Sequence, residues 1–261
     1  MNKDLTVIVG TGIGGQREIL TALTENGYTA QSAGPRIWPR DHYVYFKGRY
    51  VVSGSSRGYY EGNAFGEGGG ILIGDDFLLI SDTSYVKKHI FGLLSTNPMY
   101  QQIKNAIIAE GVVHHPGARI HVAPTGYFHG GKGHDHIDMF SLLLPQRKLL
   151  LLDTFFGKGA GRAKEYDAIA EAEGLTLIRY NGFQDRVWYP LNALVLREDD
   201  TDVAVVDDQA VSLIKLLTDH CVKVIAVPMP QINFPGGKIN CQTNIFNPAD
   251  NVKLDDLLAK S

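Results

Sequence analysis

A recurring order of predicted elements, two strands followed by a helix and a further strand, constrains this chain more than any other feature. Short apolar runs bounded by turn residues alternate with longer segments of helical period, and three copies of the order follow one another. Their successive ranges are 70–73, 77–81, 98–110 and 118–123, then 137–144, 148–153, 162–173 and 175–180, then 192–197, 202–206, 209–220 and 222–228.

The two flanks of the sequence resemble partial copies of the same unit. A strand at 5–9 with a helix at 17–26 comes first, and a strand at 241–246 with a helix at 252–260 comes last. Five units would have about 50 residues each, a size typical of one supersecondary unit in a repeat protein. We therefore predict a single α/β domain over residues 1–261, built of repeated ββαβ modules around a central axis. The alternative is an ordinary α/β domain in which the alternation is accidental.

Polar residues recur at the start of each module, just before its first strand. They are Asp41, Glu67, His136 with Asp138, Asn192 and Cys241. Side chains at equivalent points of a ring converge on its axis, and residues at strand ends are held by a rigid scaffold that suits chemistry. Taken singly, Asn192 is expected to bond its own loop, and Glu67 to be a turn residue before three glycines. Their shared position favours one common site.

Four motifs in order carry a resemblance to a known family. They are Trp38-Pro-Arg-Asp41, Glu67-Gly-Gly69, His136-Ile-Asp138 followed by Phe140, and Gly236-Gly237 shortly before Cys241-Gln-Thr243. Together they resemble the guanidino-modifying, or pentein, superfamily of arginine deiminase, agmatine deiminase, dimethylarginine hydrolase and the amidinotransferases. The resemblance spans roughly residues 36–245, and its motifs are most similar to those of agmatine deiminase. It implies a pentein-type α/β propeller with pseudo-fivefold ββαβ units.

The resemblance also implies a role for each motif residue. Cys241 would be the nucleophile, His136 its acid/base partner, and Glu67 the group that orients and charge-stabilises His136. Asp41 and Asp138 would bind the planar guanidinium, because carboxylates accept paired, charge-assisted N–H bonds.

The chemistry of these residue types agrees with those roles. A thiol needs nearby cations to ionise near neutrality, and a protonated His136 and the bound substrate would supply them. Attack by Cys241 would give a covalent amidino-thioether, which water or an acceptor amine then resolves. Hydrolase and amidinotransferase are therefore both open, and neither a metal nor a cofactor is expected.

Composition restricts the class of protein. The chain is 44% hydrophobic and 20% charged with a formal charge of −3, so it has no basic excess for nucleic acid or anionic lipid. Its first apolar run is too short for a signal peptide or a membrane span. Two cysteines make no disulfide framework, which favours the cytoplasm. Cys221 opens an apolar run and is expected to be buried and inert. No signal indicates the oligomeric state.

Four arginines bear on whether the substrate carries a carboxylate. Each of Arg36, Arg40, Arg119 and Arg186 is a candidate ligand for a substrate carboxylate, but each taken singly is expected to be a surface charge.

Three alternatives stay open at this stage. The run Gly10-Thr-Gly12-Ile-Gly-Gly15 between a strand and a helix fits an NAD(P)-binding Rossmann fingerprint, although the second strand near 29–32 lacks the ribose-binding acid. His134-Asp-His136-Ile-Asp138 has a spacing that some two-metal hydrolases use. A non-catalytic binding protein on the same scaffold is the third, since family relatives without catalytic residues bind ribosomes. The intact Cys, His and acids argue against it.

Overall fold

A computed structural model describes residues 4–11, 14–53, 68–82, 98–124, 136–155, 163–230 and 237–259. Over these ranges the strands are β1 Thr6–Val9, β2 Thr29–Ser32, β3 Tyr43–Phe46, β4 Arg49–Val52, β5 Ile71–Ile73, β6 Phe77–Ser81, β7 Arg119–Ala123, β8 Ser141–Leu144, β9 Leu149–Asp153, β10 Thr176–Tyr180, β11 Leu194–Glu198, β12 Thr201–Asp207, β13 Lys223–Val227 and β14 Thr243–Phe246. The helices are α1 Gln16–Glu25, α2 Pro98–His114, α3 Ala163–Glu173, α4 Val211–Asp219 and α5 Leu254–Leu258.

Three modules repeat one topology. Each has an inner strand paired antiparallel with a middle strand, which then pairs parallel with an outer strand after a helical crossover. The three sheets are β5–β6–β7, β8–β9–β10 and β11–β12–β13, with α2, α3 and α4 as the crossovers. The predicted ββαβ order is confirmed, including the turn between β8 and β9.

The remaining two modules differ from the predicted partial copies. Both flanks of the sequence join in one sheet, in which β14 takes the inner place antiparallel to β1, and β2 pairs parallel with β1 beyond α1. The fifth module is the β3–β4 hairpin, which its polar start indicated but whose strands were not predicted. The ring therefore closes between the first and the last described strands.

This closure contradicts the Rossmann alternative. A dinucleotide-binding fold needs one extended parallel sheet, whereas β1 lies in a three-stranded sheet with an antiparallel neighbour. Gly10 has a packing role instead, because an added Cβ would lie 2.5 Å from the Ile37 carbonyl oxygen. Its backbone N–H donates to Gln242 O at 2.7 Å, beside Cys241.

Burial follows the layering of the modules. The middle strand β9, with the sequence LLLLD, is buried along its whole length because modules cover both of its faces. Helix α4 places Leu213 and Leu217 on one face and buries them against β13. Of the described helices, none combines the length and the apolar composition needed to cross a membrane.

Tight turns lead into the inner strands. The 3-10 turns Pro39–Asp41, Gly68–Gly70 and Ile137–Met139 precede β3, β5 and β8 and lie next to one another. The strand predicted from residue 137 is therefore wrong for its first residues. Ser141 stabilises the turn, since its hydroxyl donates to Ile137 O at 2.5 Å. These turns bring polar residues from separate modules to one end of the ring.

A central cavity of about 340 Å³ connects that end of the ring with the other. Side chains from all five inner strands line it. Arg40, Asp138 and Asn240 line it at the beginnings of the inner strands, and Asp75 and Arg197 do so towards their ends. Of the predicted site residues, Asp138 lines this cavity, at the end where the inner strands begin.

Candidate active site

Cys241 lies two positions before β14, in a turn that buries its side chain. Its Sγ lies 3.5 Å from Asp138 Oδ2, and one ligand atom from each of Cys241, Asp138 and His136 lies within 4.8 Å of the other two. Gly237 makes this position possible, because an added Cβ there would lie 2.6 Å from Sγ. Residues more than 100 positions apart in the sequence therefore meet at one sulfur atom.

The imidazole of His136 lies against the glycine turn of the preceding module. A Cβ added at Gly69 would lie 2.6 Å from His136 Cγ, so only glycine leaves room for the ring. His136 Nδ1 lies 4.0 Å from Asp41 Oδ1. The structure therefore brings Asp41, His136, Asp138 and Cys241 together, as their shared position predicted.

Glu67, His134 and Gly236 lie outside the described residues. The role of Glu67 in orienting His136 accordingly stays a prediction. His136, Asp138 and Cys241 are a possible set of metal ligands by distance alone. That set differs from the predicted one, which paired His134 with His136 and Asp138.

Asp138 is buried, and one of its two carboxylate oxygens is hydrogen-bonded by described residues. Oδ2 accepts a hydrogen bond from Asn240 Nδ2 at 2.8 Å and faces Cys241 Sγ, whereas Oδ1 has no hydrogen-bond partner among the described residues. Burial raises the pKa of Asp138, and the charges of His136 and Arg40 oppose this rise. Since a buried acceptor without a donor is unfavourable, Oδ1 is suited to receive N–H groups from a ligand.

Arg40 is an internal cation, which corrects its expected place on the surface. Its Nε donates to Gly68 O and its Nη2 to Ile71 O, each at 3.1 Å, so the neighbouring module holds the buried side chain. Burial lowers its pKa, while the charges of Asp138, Cys241 and Asp41 act in the opposite direction. An arginine stays protonated in such surroundings, and it offsets part of the negative charge there.

The surroundings of Cys241 favour its neutral thiol form. Burial raises its pKa to about 12, Asp138 and Asp41 add to the rise, and a hydrogen bond with His136 opposes it. The protein's own cations therefore do not produce a thiolate. Two cations, protonated His136 and the bound substrate, were predicted to ionise this thiol. Since the effect of His136 does not outweigh that of burial, the substrate would have to supply most of the stabilisation.

Two expectations about neighbouring residues are wrong. Asn192 does not merely bond its own loop: its Nδ2 donates to Asp138 O at 3.1 Å and to Cys241 Sγ at 3.3 Å. Cys221 is exposed rather than buried. It lies in the turn between α4 and β13 with a φ of 58°, so the apolar run that follows it begins only after the turn.

Comparison with known proteins finds matches among solved structures only. No family model and no curated protein matches the sequence. A Cys-to-Ser mutant of DDAH from Pseudomonas aeruginosa complexed with citrulline has a TM-score of 0.60 at 11% identity, covering 92% of this chain and 98% of that one. The chain has the pentein fold.

Two further matches support the pentein assignment. Inosamine-phosphate amidinotransferase from Streptomyces griseus has a TM-score of 0.57 at 14% identity and covers 92% of this chain and 80% of that one. A Cys-to-Ser mutant of agmatine deiminase from C. jejuni with substrate bound has a TM-score of 0.55 at 11% identity, covering 93% of both chains. At such identities the likeness concerns the fold, and the chemistry must be argued from the site.

Proposed function

We propose that this pentein is a cysteine-dependent enzyme that acts on a guanidino compound, as a hydrolase (deiminase or dihydrolase) or as an amidinotransferase. The observation that carries the proposal is the meeting of Cys241 with His136 and Asp138 within 4.8 Å, before the inner strands of their modules. A nucleophile, an acid/base group and a carboxylate are the parts that covalent attack on a guanidinium needs. The named activities of the matched structures agree with this chemistry.

Two carboxylates favour a cationic, planar substrate. Asp41 and Asp138 flank His136 and the Cys241 thiol, and Asp138 offers the open acceptor Oδ1. A guanidinium donates N–H pairs to carboxylates and thereby brings its central carbon beside the sulfur. A neutral or anionic substrate would leave the negative charge of the two carboxylates offset only in part, by Arg40.

Substrate binding would also ionise the nucleophile. Burial and the two carboxylates hold the pKa of Cys241 near 12, so a cation placed between them removes much of the penalty on the thiolate. The thiol gives its proton to His136, attack by Sγ on the central carbon forms the C–S bond, and collapse of the tetrahedral adduct breaks one C–N bond. His136 gives the departing amine its proton, and an amidino-thioether on Cys241 remains.

The second half-reaction returns the free thiolate. His136, now neutral, removes a proton from water or from an acceptor amine, which attacks the same carbon. Cleavage of the C–S bond then releases a ureido product in hydrolysis, or a new guanidino compound in transfer. Hydrolysis and transfer share every residue described here.

The test compares two matched cysteine variants across a panel of arginine, agmatine and N-methylated arginines. Cys241→Ala should abolish turnover while the protein remains folded, and Cys221→Ala should keep full turnover because its thiol is exposed in the turn between α4 and β13. Acid quenching during turnover should trap an adduct on the peptide that contains Cys241. An adduct on Cys221, or turnover by Cys241→Ala, would refute the proposal.

A further inference from the structure

Asn192 makes four side-chain hydrogen bonds beside the sulfur. It is 2% exposed, and its Oδ1 accepts from the backbone N–H of Lys238 at 2.7 Å and of Cys241 at 3.3 Å. Its Nδ2 donates to Asp138 O at 3.1 Å and to Cys241 Sγ at 3.3 Å. Each end of this amide therefore contacts the segment that carries the nucleophile.

The repeat gives Asn192 the same place as the reacting groups. Asp41, Asn192 and Cys241 each stand two positions before the inner strand of their module. Equivalent positions in a ring face the same axis, so the fourth module contributes an amide where others contribute a carboxylate and a thiol. The sequence alone showed this equivalence. Because Asn192 was expected to bond its own loop, however, nothing in the sequence assigned it a part in the reaction.

The two ends of the amide have different consequences. The Oδ1 contacts fix the turn at Lys238 and Cys241, which is a structural role. Nδ2 can only donate, and a thiolate accepts such a bond far better than a neutral thiol does. The Asp138 carboxylate on the same sulfur has the opposite preference, because it repels the thiolate. Among these contacts, Nδ2 stabilises the ionised nucleophile.

We propose that Asn192 is a further catalytic residue, whose Nδ2–H donates a hydrogen bond to the Cys241 thiolate and holds it for attack. The inference rests on the proposed function, since it gives Asn192 a part in the same reaction. The bond acts at both stages in which the thiolate is free, before attack and after the C–S bond breaks.

The experiment measures the thiolate without any substrate. In a Cys221→Ala background Cys241 is the one remaining thiol of the chain, and its alkylation by iodoacetamide is followed by mass spectrometry from pH 7 to 10. Asn192→Ser removes the Nδ2 donor without adding charge, and its hydroxyl ends one bond short of the position of Nδ2. Asn192→Asp keeps the acceptor oxygen for the two backbone N–H groups, so it preserves the turn even if the serine variant does not fold.

In both variants the alkylation rate of Cys241 should fall, by up to about tenfold, at every pH tested, because the thiolate loses a charge-assisted bond. Loosened packing would expose the sulfur and raise the rate, so a fall cannot come from loosening. Asn244→Ser is the matched control: Asn244 is also buried and donates to Pro39 O and Tyr43 O, with no contact to Sγ. It should lower the melting temperature and keep the alkylation rate.

Turnover in the same variants should fall about 10- to 100-fold in kcat. An unchanged alkylation rate in Asn192→Ser, or in Asn192→Asp where the serine variant does not fold, would overturn the proposal and leave Asn192 a structural residue. The proposal would also be overturned if Asn192→Asp were alkylated more slowly while a folded Asn192→Ser kept the wild-type rate. The negative charge added by the aspartate, and not the lost donor, would then be the cause. If wild-type protein turned over no guanidino compound, the proposed function would fail while alkylation still tested Asn192.

Discussion

Gly69 offers a way to move His136 without changing any reacting group. In Gly69→Ala the added Cβ would lie 2.6 Å from His136 Cγ, where ordinary contact begins at 3.4 Å. The imidazole must therefore shift by about 1 Å, a misplacement that can cost roughly 100-fold in rate. The overpacked contact should also lower the free energy of unfolding by about 1–3 kcal/mol.

The assay is kcat/KM per folded molecule, measured beside a thermal melt. Gly74→Ala is the control, because its added Cβ would lie 2.6 Å from Phe77 Cδ1, an equal overlap at the far end of β5. We expect both variants to lose stability and Gly69→Ala alone to lose activity. Full kcat/KM in Gly69→Ala would refute His136 as the acid/base group. Equal losses of activity in both variants would mean that general loosening, not His136, causes the effect.

Three further predictions concern the charge of Asp41, the proton of Cys241 and the absence of a metal requirement. Asp41→Asn should cost about 10- to 150-fold in kcat/KM, because one charge-assisted bond to the guanidinium is lost; unchanged kinetics with a lower melting temperature would make Asp41 a turn residue. Above pH 8.5 the unfolded chain loses the Cys241 proton first, so the free energy of unfolding should fall by about 2 kcal/mol by pH 10. Denaturant titrations should show a smaller fall for Cys241→Ala, and equal falls would contradict the raised pKa. Dialysis against EDTA should leave turnover intact, and stoichiometric zinc in the purified protein would instead favour a metal hydrolase.

The sequence predicted the modules well because their strands are short apolar runs between turn residues, a local signal. It failed where the partner comes from another module. Nothing near Arg40 in the sequence shows that Gly68 and Ile71 carbonyls will bury it. The local sequence pattern likewise placed Cys221 with the strand after it, although Cys221 lies in a turn and has a left-handed φ.

In the candidate site too, the sequence predicted which residues meet but not the contacts that they make across modules. The shared module position was enough to predict that Asp41, His136, Asp138 and Cys241 meet, because a repeat converts sequence position into spatial position. It could not give the hydrogen bonds among them, which depend on angles between modules. Hence the direct bond from Asn192 to Cys241 and the raised pKa of the thiol appeared only in the structure. Glu67 stays a prediction on the sequence alone.

The pairing of β1 with β14 has a consequence for the order of folding. β14 comes after every other described strand in the chain, and Cys241 stands two positions before it. During synthesis one edge of β1 therefore lacks its partner strand until the segment that carries Cys241 has left the ribosome. Docking of that segment closes the ring and delivers the sulfur to His136 and Asp138 in a single step. A nascent chain that lacks β14 therefore also lacks the grouping of Cys241 with His136 and Asp138, because the thiol precedes the strand that makes these long-range contacts.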